Sequence, residues 1–427
     1  MSDRVKVLQV TGITVGGSAE HVLQLCESLP ADRFDVRVAL SGGGPLDAEI
    51  KATGLPVLDY APSHGDGHFK QASPDSPPEL ARQFWRLRRH IREVGYDVVH
   101  THTSVAGAMG RIAAWSCRTP VRVHMAHAFA GHEQVPQPRR WVFRQAEKVL
   151  GLFTTHVVVG SAAMRAEGLR QGVLRAGGVT VIHYAARMPA NEPGPGDRER
   201  LRADLGLPPD APVVALVGRI EDQKGVDHLL AAAPAVVEAV PQVHFVVVGD
   251  GSRRAESERQ ARELGLADRV HFTGWRHDLA AILRGIDVLA VPSRWEAFGI
   301  VNLEAMSAAK PVVAFAVEGI PEVVLDGVTG LLCPAGDREC LARSLVRVLT
   351  DPELAARLGR AGFHRFQDSF SPRRMVDAHV ALYERELARG RQPQRRGLGG
   401  PGVGGRGLGG RGLGGLRDLL VRPRARG

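Results

Sequence analysis

The chain has 427 residues, 44% of them hydrophobic and 24% charged, with a formal net charge of +9. This length points to two or three domains with large cores, and the composition excludes a disordered chain, a collagen-like fibre and a disulfide miniprotein. Residues 390–427 hold nine arginines and one aspartate, so the tail carries +8 and the remaining body only +1.

In chain order, short β-branched runs alternate with amphipathic segments. Strands are predicted over 4–10, 35–40, 97–100, 120–124, 155–159 and 179–182, then over 212–217, 243–248, 269–272, 286–291 and 311–315. Helices are predicted over 18–29, 79–94, 226–238 and 252–264. This alternation implies parallel sheets with crossover helices, hence an α/β fold of two Rossmann-like, doubly wound domains facing across a cleft. The Pro/Gly-rich stretch 187–198 divides the two series and reads as the linker. The expected domains are 1–186 and 187–370, followed by a closing helix over 371–389 and a tail over 390–427. The loop 60–78 is long for a compact domain and reads as a functional lid or a mobile segment. The segment 138–153 mixes Arg139, Arg140 and Arg144 with Trp141, Phe143 and Phe153. It suits an interfacial helix or a core-packed one, and core packing is preferred here. The tail repeats RGLGG and has no aromatic residue, so it reads as disordered. That lack of stacking side chains argues against nucleic acid. An anionic membrane surface is the alternative partner for its charge.

Four cysteines without a CxxC pair argue against a zinc ribbon or disulfide framework and suit a reducing cytosol. No signal peptide or spanning segment is legible, so a cytoplasmic protein, at most peripheral at the membrane, is expected.

Several motifs carry chemistry. Gly16 and Gly17 follow the first strand and open a helix, where a ligand can approach the backbone and an anion is favoured. A plain turn would look the same. The run VVGDGSRR contains Gly249 but lacks the third glycine of a dinucleotide fingerprint, which disfavours NAD. In VGRIEDQKGVDHLL, Arg219 and Lys224 flank a strand-to-helix turn. Two such cations suit a diphosphate, or are solvated surface charges. The block VPSRWEAFGIVNLEAMSAAKPVVAF sets Glu296 in a loop and Glu304 on the following helix. The N–H groups of Phe298, Gly299 and Ile300 would point at a phosphate, while the two carboxylates accept hydroxyls. Histidines cluster at 100–102 and 124–132 without metal-ligand spacing, so no metal is expected. His127 could donate to a sugar hydroxyl. His100, His124 and His132 read as structural.

With these residues in place, the chain resembles glycosyltransferase family four, the retaining GT-B enzymes, over residues 4–389. The likeness lies in VGGSAEHVLQL, DVVHTHTSVAGAMGRIAA and MAHAF, then in VGRIEDQKGVDHLL, VVVGDGS, FTGWRHDL, the 291–315 block and GIPEVVLDGVTGLL. The resemblance implies that Arg219 and Lys224 hold the donor diphosphate in place of a metal ion. It implies Glu304 on the ribose, Glu296 on the transferred sugar, and the amides of 298–300 on the distal phosphate and sugar. It further implies Gly16 and Gly17 closing over the diphosphate, His127 near the sugar 6-hydroxyl, and Gly249 and Arg276 on the nucleotide side. Three positions depart from the pattern: Ala128 and Glu318 stand where glycine is usual, and Tyr184-Ala185-Ala186 replaces the usual Asn-Gly. The expected activity is retaining sugar transfer from a nucleotide-sugar donor with no other cofactor, a uridine donor being slightly preferred on family habit. A lipid-linked acceptor in polysaccharide or glycolipid synthesis is the first expectation. A small-molecule acceptor, or a silent nucleotide-sugar-binding scaffold, is the alternative.

Overall fold

The computed structural model describes residues 4–12, 16–41, 45–61, 76–129, 135–187 and 196–391. The expected lid between 60 and 78, the linker between 187 and 198, His132 and the tail therefore fall wholly or mostly outside the described residues.

The first series of strands comprises β1 (Val5–Thr11), β2 (Phe34–Leu40), β3 (Val57–Asp59), β4 (Val98–His102), β5 (Val121–Ala126), β6 (His156–Val159) and β7 (Val179–Val181). They form one parallel sheet in the order β3-β2-β1-β4-β5-β6-β7. Its helices are α1 (Gly17–Ser28), α2 (Pro45–Ala52), α3 (Pro77–Val94), α4 (Ser104–Ser116), α5 (Arg139–Leu150) and α6 (Ala162–Arg170). The second series comprises β8 (Val213–Val217), β9 (His244–Val248), β10 (Val270–Gly274), β11 (Val288–Val291), β12 (Val312–Phe315) and β13 (Gly330–Cys333). These also pair in parallel, in the order β10-β9-β8-β11-β12-β13. Around them lie α7 (Asp197–Asp204), α8 (Val226–Ala239), α9 (Arg254–Glu263), α10 (Leu279–Gly285), α11 (Ile300–Ser307), α12 (Ile320–Val323), α13 (Arg338–Thr350) and α14 (Pro352–Ser369).

The inner strands read as continuous apolar runs because helices cover both faces of each sheet. Every residue of β9, β11 and β12 is buried. Both strand orders reverse at one point, between β1 and β4 and between β8 and β11. Ligands bind doubly wound sheets at such switch points, beyond the carboxyl ends of the strands. The two doubly wound units expected from the alternation are therefore present, and each offers its switch point as a binding edge.

The last helix, α15 (Pro372–Arg391), packs on α1 and against β5, so the chain returns from the second lobe to the first. Two further contacts join the lobes. Ser161 Oγ donates to the Ala297 carbonyl at 2.8 Å. The Glu322 carboxylate accepts the Ala162 and Ala163 amides at 2.7 and 2.8 Å, capping α6 from the opposite lobe.

The preference for a core-packed helix over 138–153 is corrected. α5 buries no residue, and Trp141 is 60% exposed. The inner layer is taken by α4, whose buried Ala106, Gly107, Gly110, Ala113 and Ala114 let it lie close on the sheet. α5 packs outside α4.

Candidate active site

The carboxyl edges of the two sheets face each other across a cleft of about 1530 Å³. From the first lobe, Gly16 and Gly17 follow β1 and enter α1, and His127 follows β5. From the second lobe, Arg219 follows β8, Lys224 ends the turn before α8, and Glu296, Phe298, Gly299, Ile300 and Glu304 come from the β11–α11 connection and α11 itself. These ten predicted residues line one cavity although up to 288 positions separate them (Gly16 to Glu304).

The lobes also approach each other at Gly17. A Cβ added there would lie 2.6 Å from Ile300 Cδ1 and 3.3 Å from Ile300 Cβ of the opposite lobe, so a side chain would require Ile300 to shift. Lys224 Nζ lies 2.5 Å from Glu296 Oε2, with the two side chains 18% and 12% exposed. At that burial neither partner could be removed without leaving a poorly solvated charge. Arg219 is exposed at the cleft, and no ion pair holds it among the described residues.

Glu304 behaves differently. Burial raises its carboxyl to about 7, helped by the Glu20 carboxylate of α1 and opposed by Lys224. Glu20 also lines the cleft, and Arg187 Nε holds it at 2.6 Å. A carboxyl poised near neutrality between the lobes answers to any ligand that brings charge or hydroxyl donors.

His127 is also tuned by burial, which lowers its pKa to about 3. Its Nδ1 lies 2.8 Å from Tyr184 Oη and its Nε2 3.3 Å from His102 Nδ1. It is therefore a neutral ring whose two nitrogens are both in contact with protein.

Two predicted residues do not reach the cavity wall. Gly249 packs under it: a Cβ there would lie 2.1 Å from the Gly218 carbonyl oxygen, and its backbone has φ +135°. The glycine lets β9 leave the sheet against β8, which is a packing requirement. Arg276 is drawn away by Asp278, at 2.7 and 2.6 Å, and by Asp204 at 3.5 Å. Its neighbours Trp275 and His277 line the cleft instead. The motif reading missed Glu20, Tyr184, Arg187 and Trp275. Tyr184 carried a signal as a departure from the family pattern, and Glu20 and Trp275 lay within quoted motifs without being singled out. Among the described residues no group of three or more His, Cys, Asp or Glu side chains could hold a metal ion.

Two parallel-sheet Rossmann-like lobes, with a cleft at both switch points, define the GT-B class of fold. Residues 197–365 match the family model of glycosyl transferases group 1, and residues 16–185 match the glycosyl transferase 4-like domain. The chain belongs to the group 1 glycosyltransferase family. It is 32% identical over 402 residues to a D-inositol 3-phosphate glycosyltransferase of Xylanimonas cellulosilytica, covering 88% of this chain and 94% of that protein. It is 34% identical over 263 residues to the 2-deoxystreptamine glucosyltransferase of Streptomyces kanamyceticus, covering 61% and 66%. Among solved structures it is similar to Anabaena HepE in complex with UDP and glucose, at a TM-score of 0.77 and 25% identity, covering 90% of this chain and 100% of that one.

Proposed function

We propose that this glycosyltransferase moves a sugar from a nucleoside diphosphate sugar to a hydroxyl of a small polar acceptor, with retention and without a metal ion. The observation that carries the reading is the Lys224–Glu296 pair, with Glu304 beside it in the same lobe, facing Gly16 and Gly17 across one cleft. Arg219 and Lys224 would bind the diphosphate by charge-assisted hydrogen bonds, assisted by the amino-terminal turn of α11. Glu304 would accept the ribose hydroxyls, and Glu296 those of the transferred sugar. In the transfer, the bond from the anomeric carbon to the phosphate oxygen breaks and the bond to the acceptor oxygen forms on the same face. The acceptor proton passes to the leaving phosphate. Closure around Gly17 and Ile300 would exclude water and align the partners. A uridine donor is favoured by the UDP and glucose bound to HepE. A small-molecule acceptor is favoured over the lipid-linked one by the names of the inositol phosphate and deoxystreptamine enzymes. The test is a thermal-shift screen of UDP-, GDP- and ADP-sugars, followed by turnover of the donor that stabilises the fold. Equal turnover by Lys224→Ala would refute the diphosphate role.

A second reading, a lipid-linked acceptor met at an anionic membrane surface, has α5 in its favour. Trp141, Val142, Val149 and the adjoining Leu152 are each more than half exposed, and α5 carries four cations against one acid. Apolar side chains flanked by cations suit an anionic lipid interface. A second copy would set these cations against themselves. No helix among the described residues is long and apolar enough to cross a membrane. Co-sedimentation with phosphatidylglycerol vesicles, lost in Trp141→Ser/Val142→Ser, would support this reading. Unchanged binding by that variant would sink it.

A further inference from the structure

A second, smaller cavity of about 190 Å³ opens beside the cleft in the first lobe. It lies where β4 turns into α4 and where β5 ends, at the same carboxyl edge of the sheet. His127 and Phe129 line both spaces, so a molecule in the smaller one reaches the larger past these side chains. Arg219, Lys224, Glu296 and Glu304 line only the cleft, which leaves the smaller cavity outside the donor contacts. Its own wall carries the polar side chains of Thr103, Ser104, His124 and Glu147.

His124 is 5% exposed, and burial, with Arg111 and His127 nearby, holds its ring well below the usual histidine range, so it is neutral. Its Nδ1 lies 3.0 Å from Thr101 Oγ1, whereas no described residue bonds its Nε2. A Cβ at Gly107 would lie 2.7 Å from His124 Cε1, the carbon between the two nitrogens. That ring edge therefore turns towards the first turns of α4, where the cavity lies. A buried ring with an unpartnered nitrogen calls for a ligand or a water. The backbone beside it is strained. Thr103 precedes α4 at φ +63° and ψ +169°, a region essentially reserved for glycine. Its hydroxyl makes no capping bond, so the amides of the first turn have no side-chain cap.

Donors and acceptors are mixed on this wall. The first-turn amides of α4 donate, the Glu147 carboxylate accepts, and the hydroxyls of Thr103 and Ser104 do either. Arg111, which holds Glu147 at 3.1 Å, is 1% exposed and does not line the cavity, and no Lys or Arg does among the described residues. A phosphate would meet the helix amides but also the carboxylate, with no cation to balance it. A ring hydroxyl accepts from an amide and donates to a carboxylate at once. At ~30 Å³ per water, the cavity has the room of about six waters, enough for one six-membered ring. We infer that this cavity is the acceptor subsite and takes an uncharged polyhydroxylated ring rather than a phosphorylated one. Thr103 and Ser104 are its specificity-determining residues, and the reacting hydroxyl projects past His127 into the cleft. That the ring is an acceptor rests on the glycosyl-transfer reading; that a polyol binds here does not.

The test uses the full chain with UDP present. Saturation-transfer difference NMR is run against myo-inositol, scyllo-inositol, D-mannose and myo-inositol 1-phosphate. At least one neutral ring should bind, and more tightly than the phosphate ester. Ser104→Ala and Thr103→Gly should each weaken that neutral ring about two- to tenfold, the worth of one neutral hydrogen bond, while calorimetry shows UDP bound as in wild type. Thr103→Gly should also raise the thermal midpoint, since glycine relieves the backbone. A merely structural Thr103 would move the midpoint and not the polyol. Binding of none of the neutral rings, tighter binding of the ester, or a polyol untouched by both variants overturns the inference. If no nucleotide sugar binds wild type, the transfer reading fails, while the NMR still decides the cavity. If a sugar is transferred to the ring, both variants should raise the KM of the ring and leave that of the donor; the reverse overturns its place as acceptor.

Discussion

The carboxyl of Glu304 should make donor binding depend on pH in a window where few other groups titrate. With its pKa raised to about 7, Glu304 is ionised in about one-tenth of molecules at pH 6 and about nine-tenths at pH 8. The carboxylate accepts from two hydroxyls at once, whereas the protonated acid gives up part of that capacity. If only the ionised form binds the ribose, donor affinity should weaken about tenfold from pH 8 to pH 6, equivalent to ~1.4 kcal/mol. The diphosphate of a nucleotide sugar is a diester without a proton to gain in this range, so the slope belongs to the protein. Calorimetry with UDP-glucose, or with whichever donor the screen selects, measures it at half-unit intervals. Glu304→Gln should bind more weakly at pH 8 and show no slope. A flat wild-type profile, or a slope that survives in Glu304→Gln, would refute the reasoning. Stability supplies an independent check. The folded-state pKa lies above the ordinary value of 4.5, so the folded chain binds more protons between about pH 4.5 and 7 and loses stability as the pH rises through that window. Relative to wild type, Glu304→Gln should therefore gain stability at pH 8 and not at pH 4.5.

Four further outcomes are expected. Lys224→Ala leaves the Glu296 carboxylate, 12% exposed, without its partner, and should cost roughly 1–3 kcal/mol in urea denaturation. Glu296→Gln added to it should recover part of that loss, and strictly additive effects would contradict the pairing. Gly17→Ala places a methyl 2.6 Å from Ile300 Cδ1 and should weaken donor binding, with Ile300→Ala restoring part of it; a single variant that binds normally excludes closure at this point. Glu318 has φ +41°, where a side chain costs ~1 kcal/mol, so Glu318→Gly should raise the denaturation midpoint. Glu322→Ala uncaps α6 from across the lobes and should cost ~1 kcal/mol, read as a lower thermal midpoint.

The layout of the fold was legible because the inner strands are long apolar runs between helical periods. The strands that escaped were β3 and β13, of three and four residues, too short to show a period. Cleft-lining residues were legible where one motif held strand end, turn and helix start together, as around Lys224 and from Glu296 to Glu304. Gly249 lies under the cleft wall because the same glycine signature serves close backbone packing. Arg276 is held off the cleft wall by an aspartate two residues later. The departures gain meaning from their contacts: Tyr184 bonds His127, and Glu318 occupies a left-handed backbone on the cleft wall. Gln9 and Tyr383 had no local signal, since they lie 374 positions apart and only the return of α15 brings them together.

Net charge misdirects for this chain, and the cleft explains why. Outside the tail the body carries only +1, so no long-range positive field would gather an anionic donor. The local charges are arranged in opposed sets instead. Lys224 is already matched by Glu296, and Arg187 by Glu20 and Glu27. In the proposed function, an arriving diphosphate would compete with Glu296 for Lys224, and its two charges would be balanced only when Arg219 also turns to it. Releasing Glu296 from Lys224 frees carboxylate lone pairs at the moment sugar hydroxyls arrive to use them. A donor carrying both diphosphate and sugar can satisfy both partners of the broken pair, whereas free phosphate or pyrophosphate leaves Glu296 unpaired. On the proposed donor binding, the Lys224–Glu296 contact would discriminate for the conjugate against its fragments, which a bare cation at that position would not do.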